Sequence, residues 1–249
     1  MPKRVHEIYS TDYFEGAAGG FGYTNYDADK QPMIPTFEQY LDLIEKQLPE
    51  KGKLLDVGAA TGFFLTLARR RGWTVQGVEV SPHAAQMARD KGLDVRTGII
   101  GTVEFEPQSF DVVTMWDVIE HMENPRLELD CIARLLKPSG ILAINTPDAG
   151  SALAKIAGNH WHLVIPPEHL NLFTEASLRK ALSQTGFDHL ASLKIGKRFT
   201  TQYILHTLNH VVPGGFFAGL ASKLRGTTVG EWNFAINLRD NILCLGRKM

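Results

Sequence analysis

A hydrophobic run that ends on an acid and then turns through small residues into a helix leaves few folds open to the chain around it. Here that run is Leu54-Leu55-Asp56-Val57-Gly58-Ala59-Ala60-Thr61-Gly62, and a lone acid, Glu79, ends the next apolar run, Trp73 to Val80. A strand, a small-residue turn opening a helix, and an acid about 20 residues further on is how open α/β sheets hold nucleoside cofactors. Glycine also serves strand-to-helix turns that bind nothing, so it is Glu79 that makes the loop a binding signal.

The glycine spacing separates two classes of cofactor. A dinucleotide fingerprint places small residues at G-x-G-x-x-G, so that the backbone closes on a pyrophosphate at the helix N-terminus. Counted from Gly58 those positions hold Gly58, Ala60 and Phe63, and Phe63 breaks the pattern. The small residues fall instead at Gly58, Ala60 and Gly62, directly after Asp56, a form that suits a ligand with an amino acid end and a ribose but no phosphate. An NAD-dependent oxidoreductase is disfavoured on this ground.

Composition narrows the rest. In 249 residues, 44% hydrophobic and 21% charged side chains are ordinary globular usage, enough to bury a full core in one domain spanning 1–249. Lysine plus arginine (26) balance aspartate plus glutamate (27), so there is no global basic field and nucleic acid is not an expected partner. Cys131 and Cys244 form no metal spacing and read as reduced core residues. The N-terminus has basic residues without an apolar region behind them, and no apolar stretch is long enough to span a bilayer, so a cytoplasmic protein without an integral membrane segment is expected.

Alternating strand and helix patterns imply a parallel sheet covered on both faces. Strands are expected at 53–57, 73–79, 93–97, 110–116, 140–146, 188–195 and 241–247, with the clearest helices at 36–48, 62–71, 82–91, 125–136 and 174–185. Ser81-Pro82 reads as a cap followed by proline at the first helical position. Three segments lie outside this minimal sheet. Residues 1–35, with aromatics and glycines from Tyr9 to Pro35, are poor helix material and read as an N-terminal lid; 148–173 and 200–233 read as acceptor-side insertions. In the last of these, Tyr203, Ile204, Leu208, Val211 and Val212 make an apolar helical stripe. Phe216, Phe217 and Leu220 beside Lys223 and Arg225 suit either weak interfacial membrane contact through 200–225 or packing on the domain, and the short stripe and small basic cluster favour packing.

Taken together, LLDVGAATGFF (54–64), VQGVEVSP (75–82), SFDVVTMWDVIEHMENP (109–125), LLKPSGILAINTPD (135–148) and PPEHLNLFT (166–174) resemble the class I S-adenosylmethionine-dependent methyltransferases. Within these, they resemble the group that includes ubiquinone-biosynthesis O-methyltransferases and many sugar and natural-product enzymes. The motifs cover about half the chain, in the family's order. The fold class is accordingly expected to be α/β: a doubly wound, Rossmann-like, seven-stranded, mostly parallel sheet with an antiparallel last strand.

The resemblance implies S-adenosyl-L-methionine as cofactor, S-adenosyl-L-homocysteine as product and a small-molecule acceptor. It places Asp56 near the cofactor's amino acid end and the backbone of Gly58, Ala59, Ala60 and Gly62 around it, with Glu79 and the adjoining Val80 at the ribose, where a carboxylate accepts two hydroxyls at once. Residues after the third strand, Gly98, Ile99 and Ile100, and at the end of the fourth, Met115, Trp116 and Asp117, flank the adenine in such enzymes. Many relatives carry an aspartate where this chain has Ile99, so a main-chain carbonyl, or Trp116 with apolar contacts, takes its place; Trp116 reads equally as a core aromatic. An oxygen acceptor calls for a general base, for which His121 and His169 are the candidates, each with a packing role as the alternative. No carboxylate and histidine spacing suggests a metal. Met115-Trp116-Asp117-Val118 is not the Asn/Asp-Pro-Pro-aromatic tetrad of enzymes that methylate the amino groups of adenine or glutamine. N-methylation of a small molecule and cofactor binding without catalysis are the alternatives to small-molecule O-methylation.

Overall fold

The computed structural model describes residues 26–166, 168–201, 204–205, 216–224 and 227–249. In chain order the elements are helices α1 (Tyr26–Lys30) and α2 (Ile34–Glu45), strand β1 (Lys53–Val57), α3 (Phe63–Arg70), β2 (Thr74–Glu79), α4 (Pro82–Asp90), β3 (Asp94–Thr97), β4 (Phe110–Trp116), α5 (Pro125–Leu135) and β5 (Leu136–Pro147). They continue with α6 (Ala152–Ala157), α7 (Glu175–Gln184), β6 (Phe187–Leu193), β7 (Lys197–Thr200), α8 (Phe216–Leu224), α9 (Thr228–Glu231), β8 (Asn233–Ile236) and β9 (Asn241–Lys248).

Seven strands form one sheet in the order β3-β2-β1-β4-β5-β9-β6. The first five are parallel, and β9 runs antiparallel between β5 and β6. Central strands of such a sheet are covered on both faces, so they read as continuous apolar runs rather than alternating ones. Successive side chains still point to opposite faces. Leu54, Val112, Ile141 and Ala143 go to one core, with Phe37, Tyr40, Leu41 and Ile44 of α2 and Phe64 and Leu65 of α3. Leu55, Val57, Val113, Met115, Leu142 and Ile144 go to the other, against Leu129 and Ile132 of α5 and Leu178 and Leu182 of α7.

Helix starts follow the residues that satisfy free backbone donors. Ser81 caps α4, Asn124 caps α5 and Thr174 with Ser177 forms a reciprocal capping box on α7. Arg71, at the end of α3, pairs with Glu38, Asp42 and Glu45 on one face of α2 at 2.6–2.7 Å, which fixes that helix against the sheet.

The sheet and its five main helices match the sequence reading. Four local features differ. Residues 26–35 are helical where poor helix material was expected, α2 begins at Ile34 rather than 36, and β5 begins at Leu136, pairing with Phe110 before the register shift that leads to Ile141 opposite Val112. Within 197–236 an unanticipated two-stranded antiparallel sheet joins β7 to β8. Cys244 is buried and Cys131 half-buried, both as free thiols. The lid as far as residue 25, and Tyr203, Leu208, Val211, Val212 and Arg225, lie outside the described residues. No helix among the described residues is long and apolar enough to cross a membrane.

The order of the sheet fixes where a ligand can sit. The order in which successive strands are added reverses between the parallel neighbours β1 and β4, and the crevice outside the carboxyl ends of those strands is the switch point at which open α/β sheets bind.

Candidate active site

Asp56 and Glu79 stand at that crevice, both almost fully buried. Asp56 lies opposite Thr114 in the β1/β4 register, and the Thr114 hydroxyl donates to Asp56 Oδ1 at 2.6 Å. Burial, with a further contribution from the nearby Glu79 charge, pushes the Asp56 carboxyl up to about 8 against the favourable Thr114 hydrogen bond.

A testable pH dependence follows. An acid whose folded pKa lies above its unfolded value of 3.8 stabilises the fold below that value, and the contribution is lost as pH rises through about 8. In Asp56→Asn the amide oxygen keeps Thr114 as a donor while the titration disappears. The melting temperature of this variant relative to wild type is therefore expected to climb between pH about 5 and about 8; a constant gap over that range would refute the assignment.

Glu79 ties the loop together. Ala60 N–H donates to Oε2 and Ser81 N–H to Oε1, each at 2.8 Å, and Val80 N–H adds a third bond. Burial still raises its carboxyl above the ordinary range. Two carboxylate oxygens carry about four lone-pair positions, so three backbone bonds hold the group in place and leave capacity for a hydroxyl partner. The turn is closed by Gly58 N–H and Ala59 N–H, which both donate to Val78 O at 2.8 and 3.1 Å, and by Gly62 N–H to Ala59 O at 2.8 Å. Gly58, Ala60 and Gly62 have φ of 74°, 47° and 77°.

The segment before β1 covers this loop. Tyr26 packs against Ala60 and Ala84, the Thr61 hydroxyl donates to Asp27 at 2.5 Å, and Lys91 pairs with Asp27 while donating to Thr61 O at 2.8 Å.

On the neighbouring edge Gly98 N–H donates to Glu79 O at 2.9 Å and Ile99 is exposed just beyond it. Trp116 is engaged in an aromatic cluster: it stacks on Tyr40 at 4.8 Å between ring centroids and meets Phe64 edge-on at 5.0 Å. The next residue, Asp117, has φ of 56°. The Asp117 carboxylate takes bonds from Asn145 Nδ2 at 2.6 Å and Lys197 Nζ at 2.8 and 2.9 Å, and Tyr40 donates to Asn145 at 3.1 Å. Burial alone would raise Asp117, but the Lys197 ammonium beside it holds it below the usual carboxylate range.

His121 and His169 are brought together. The loop carrying His169 is stitched to the turn carrying His121 by Leu170 N–H and Asn171 N–H to Glu120 O, at 2.8 and 2.9 Å, and by Asn171 Nδ2 to Met122 O at 2.7 Å. The two rings lie 4.7 Å apart, edge to face. Burial and then the neighbouring His169 lower His121 to about 4, and burial lowers His169 also. Both imidazoles are thus neutral near pH 7, and His121 is a weak base. Although sequence spacing suggested no metal cluster, Glu120 joins the two histidines in one.

Several of these groups went unread in the sequence. Thr114, Glu120 and Asn145 lie inside the quoted motifs and were visible there as polar residues in apolar runs. Lys197 had no local signal, because it reaches Asp117 from a strand that was not anticipated. A separate cleft of about 480 Å³, lined by Asp148, Ser151, Thr174, Lys194 and Arg239 among others, shares no residue with the glycine loop.

The cradle fits a nucleoside with an amino acid end. A Cβ at Gly58 would stand 2.5 Å from Val118 Cγ2 and one at Gly62 2.3 Å from Leu93 Cδ1, so these turns need glycine. Asp56 and Glu79 offer the buried carboxylates such a ligand requires.

A family model described as a methyltransferase domain matches residues 33–192. The chain is 28% identical over 207 residues to the ubiquinone biosynthesis O-methyltransferase of Hahella chejuensis, covering 73% of this chain and 87% of that relative. In fold it is similar to a putative methyltransferase from Bacillus halodurans, with a TM-score of 0.63 and 16% identity over 86% of this chain and 99% of the other. It is also similar to the geranyl diphosphate C-methyltransferase of Streptomyces coelicolor, solved with S-adenosyl-L-homocysteine, with a TM-score of 0.60 and 13% identity over 99% of each chain. Glycine cradle, paired carboxylates, strand order and family model converge: the chain belongs to the methyltransferase-domain family and is a class I, S-adenosylmethionine-dependent enzyme.

Proposed function

We propose that the chain transfers the methyl group to an oxygen of a small molecule, such as a sugar, a quinone precursor or another natural-product precursor. The observation that carries this reading is the similarity over 73% of the chain to a relative whose name states an O-methylation. The cofactor supplies an electrophilic methyl carbon on a sulfonium. Asp56 and the Gly58–Gly62 backbone hold its amino acid end, Glu79 and Val80 its ribose, and Gly98, Ile99 and Asp117 face its base. Trp116 contributes by keeping the end of β4 rigid through its stacking on Tyr40. The acceptor lies over the 118–121 turn and the 168–171 loop, and alignment there does most of the work, since holding reactants at attack distance can remove about 7–11 kcal/mol of barrier.

The test is turnover with a panel of catechols, other phenols, sugars and primary amines, with the new methyl group located by NMR. An O-methylated product is expected. Turnover of amines alone would overturn the oxygen assignment.

A further inference from the structure

We propose that Lys197 receives the acceptor oxygen: its ammonium, held on Asp117 at the carboxyl end of β4, donates its remaining N–H to that oxygen and stabilises the negative charge on it. The proposal rests on the oxygen acceptor proposed above and adds the group that activates it.

An ammonium has three N–H donors and no acceptor. Two are used, on Asp117 Oδ1 and Oδ2 at 2.9 and 2.8 Å, and among the described residues the third has no partner. The pair is not sealed in the core, since the Asp117 side chain is 37% exposed and that of Lys197 18%. At the end of β4 that opening is onto the crevice. It lies on the acceptor side: Asp117 N–H donates to Asn145 O at 2.9 Å and the Asp117 carboxylate accepts from Asn145 Nδ2 at 2.6 Å, so the pair stands toward β5. Gly98 and Ile99 follow β3, at the opposite edge beyond β1 and β2.

Neither partner needs the ion pair to stay in place. Beside Lys197, the Thr36 hydroxyl donates to Gly196 O at 3.3 Å and Asn237 Nδ2 to Lys194 O at 2.9 Å, and β7 is laddered to β8 with Lys197 opposite Ile236. Asp117 is held by Asn145. Burying an ion pair contributes little net stability, whereas a charge fixed in advance by its surroundings is what stabilises charge developing on a reacting oxygen.

Burial works against the Lys197 charge, but Asp117 more than offsets it and holds the ammonium above its ordinary range. The other titratable groups around Lys197 are Tyr40 of α2, Lys30 of α1, Glu120, and His162 and His169 of the loop after α6. Burial lowers both histidines, which makes them weak bases; Lys197 acts instead by lowering the pKa of the acceptor itself. In the transfer step the acceptor O–H gives its proton to solvent, the oxygen lone pair forms the O–CH₃ bond, and the electrons of the breaking S–CH₃ bond return to sulfur as a neutral thioether. Lys197 keeps its proton throughout.

The test follows the ionisation of a bound probe. Para-nitrophenol, coloured as its anion, is titrated by absorbance with saturating protein and S-adenosyl-L-homocysteine present. A nearby opposite charge lowers an acid by about 1–3 pH units, so the bound probe should ionise about 1–3 pH units below its value in free solution. The difference should vanish in Lys197→Met and largely return in Lys197→Arg, which keeps the charge; a structural role alone would not move the ionisation of the probe. Melting curves report that each variant is folded. With an oxygen acceptor that the wild type turns over, Lys197→Met should lower kcat about 100–1000-fold, as removal of one donor to a developing oxyanion does. A bound probe that ionises as in free solution, a difference that survives in Lys197→Met, or failure of the anion to bind overturns the proposal. Turnover of amines alone, with the Lys197-dependent difference intact, refutes the oxygen acceptor and leaves the anion site at Lys197 standing; O-methylation by Lys197→Met at the wild-type rate does the reverse.

Discussion

Replacing Glu79 with alanine is expected to weaken S-adenosylmethionine binding about thirtyfold or more, read by calorimetry on the purified protein. The estimate takes a lost charged hydrogen-bonding group at about 2 kcal/mol, with each 1.4 kcal/mol worth a factor of ten. Two effects act together. The ribose loses its carboxylate acceptor, and Ala60, Val80 and Ser81 lose the group that holds their N–H groups in place. Glu79→Gln separates them partly: its amide keeps one acceptor oxygen but turns an NH₂ toward a backbone donor. It should fall between wild type and alanine. A folded Glu79→Ala variant, judged by its melting curve, that binds the cofactor normally would refute the ribose assignment.

Glu79 and its loop were legible because their signal is local. Strand, turn, helix and acid follow one another, and the same residues that make the turn also make the site. The central strands were equally plain: Leu54 and Leu55, or Val112 and Val113, are adjacent apolar residues serving cores on opposite faces of the sheet. The features that escaped depend on contacts distant in sequence. The five residues of α1 are too few for a helix stable by itself, and Asp27 is fixed through Lys91 and Thr61. The β7/β8 pair consists of two four-residue strands in which Phe234 is exposed and Ile236 half-buried. Neither shows the alternation that marks a half-buried strand.

The same distinction runs through the site. Asp56 could be named from its place before the glycines, but its raised pKa depends on burial between β1 and β4. His121 and His169 could each be named as candidates, and only the fold shows that Glu120 O accepts from two successive N–H groups of the other loop, those of Leu170 and Asn171. Their Nδ1 partners, the carbonyls of Glu168 and Leu163, carry no side-chain signature at all. Trp116 was ambiguous for a physical reason: an aromatic at a strand end can serve a ligand or the core. Tyr40 and Phe64 claim its ring.

Gly62→Ala should cost roughly 2–5 kcal/mol of stability, because two penalties fall on one atom. At φ of 77° an L-residue adopts the left-handed region at about 1–2 kcal/mol. The new Cβ would also lie 2.3 Å from Leu93 Cδ1 and 3.0 Å from Ala88 Cβ, both buried, and forcing a methyl group into a packed core costs about 1–3 kcal/mol more. For a chain of this size each kcal/mol lowers the melting temperature by about 2–4 °C. Gly72→Ala is the control, since its φ of 96° is equally unfavourable but nothing lies within 4 Å of its Cβ. It should show the conformational penalty alone. Leu93→Ala introduced into Gly62→Ala removes the clashing methyl and should cost less there than in the wild-type background. If Gly62→Ala proves no more destabilising than Gly72→Ala, the close approach of α4 and Leu93 to the cofactor loop is not what requires glycine at this position.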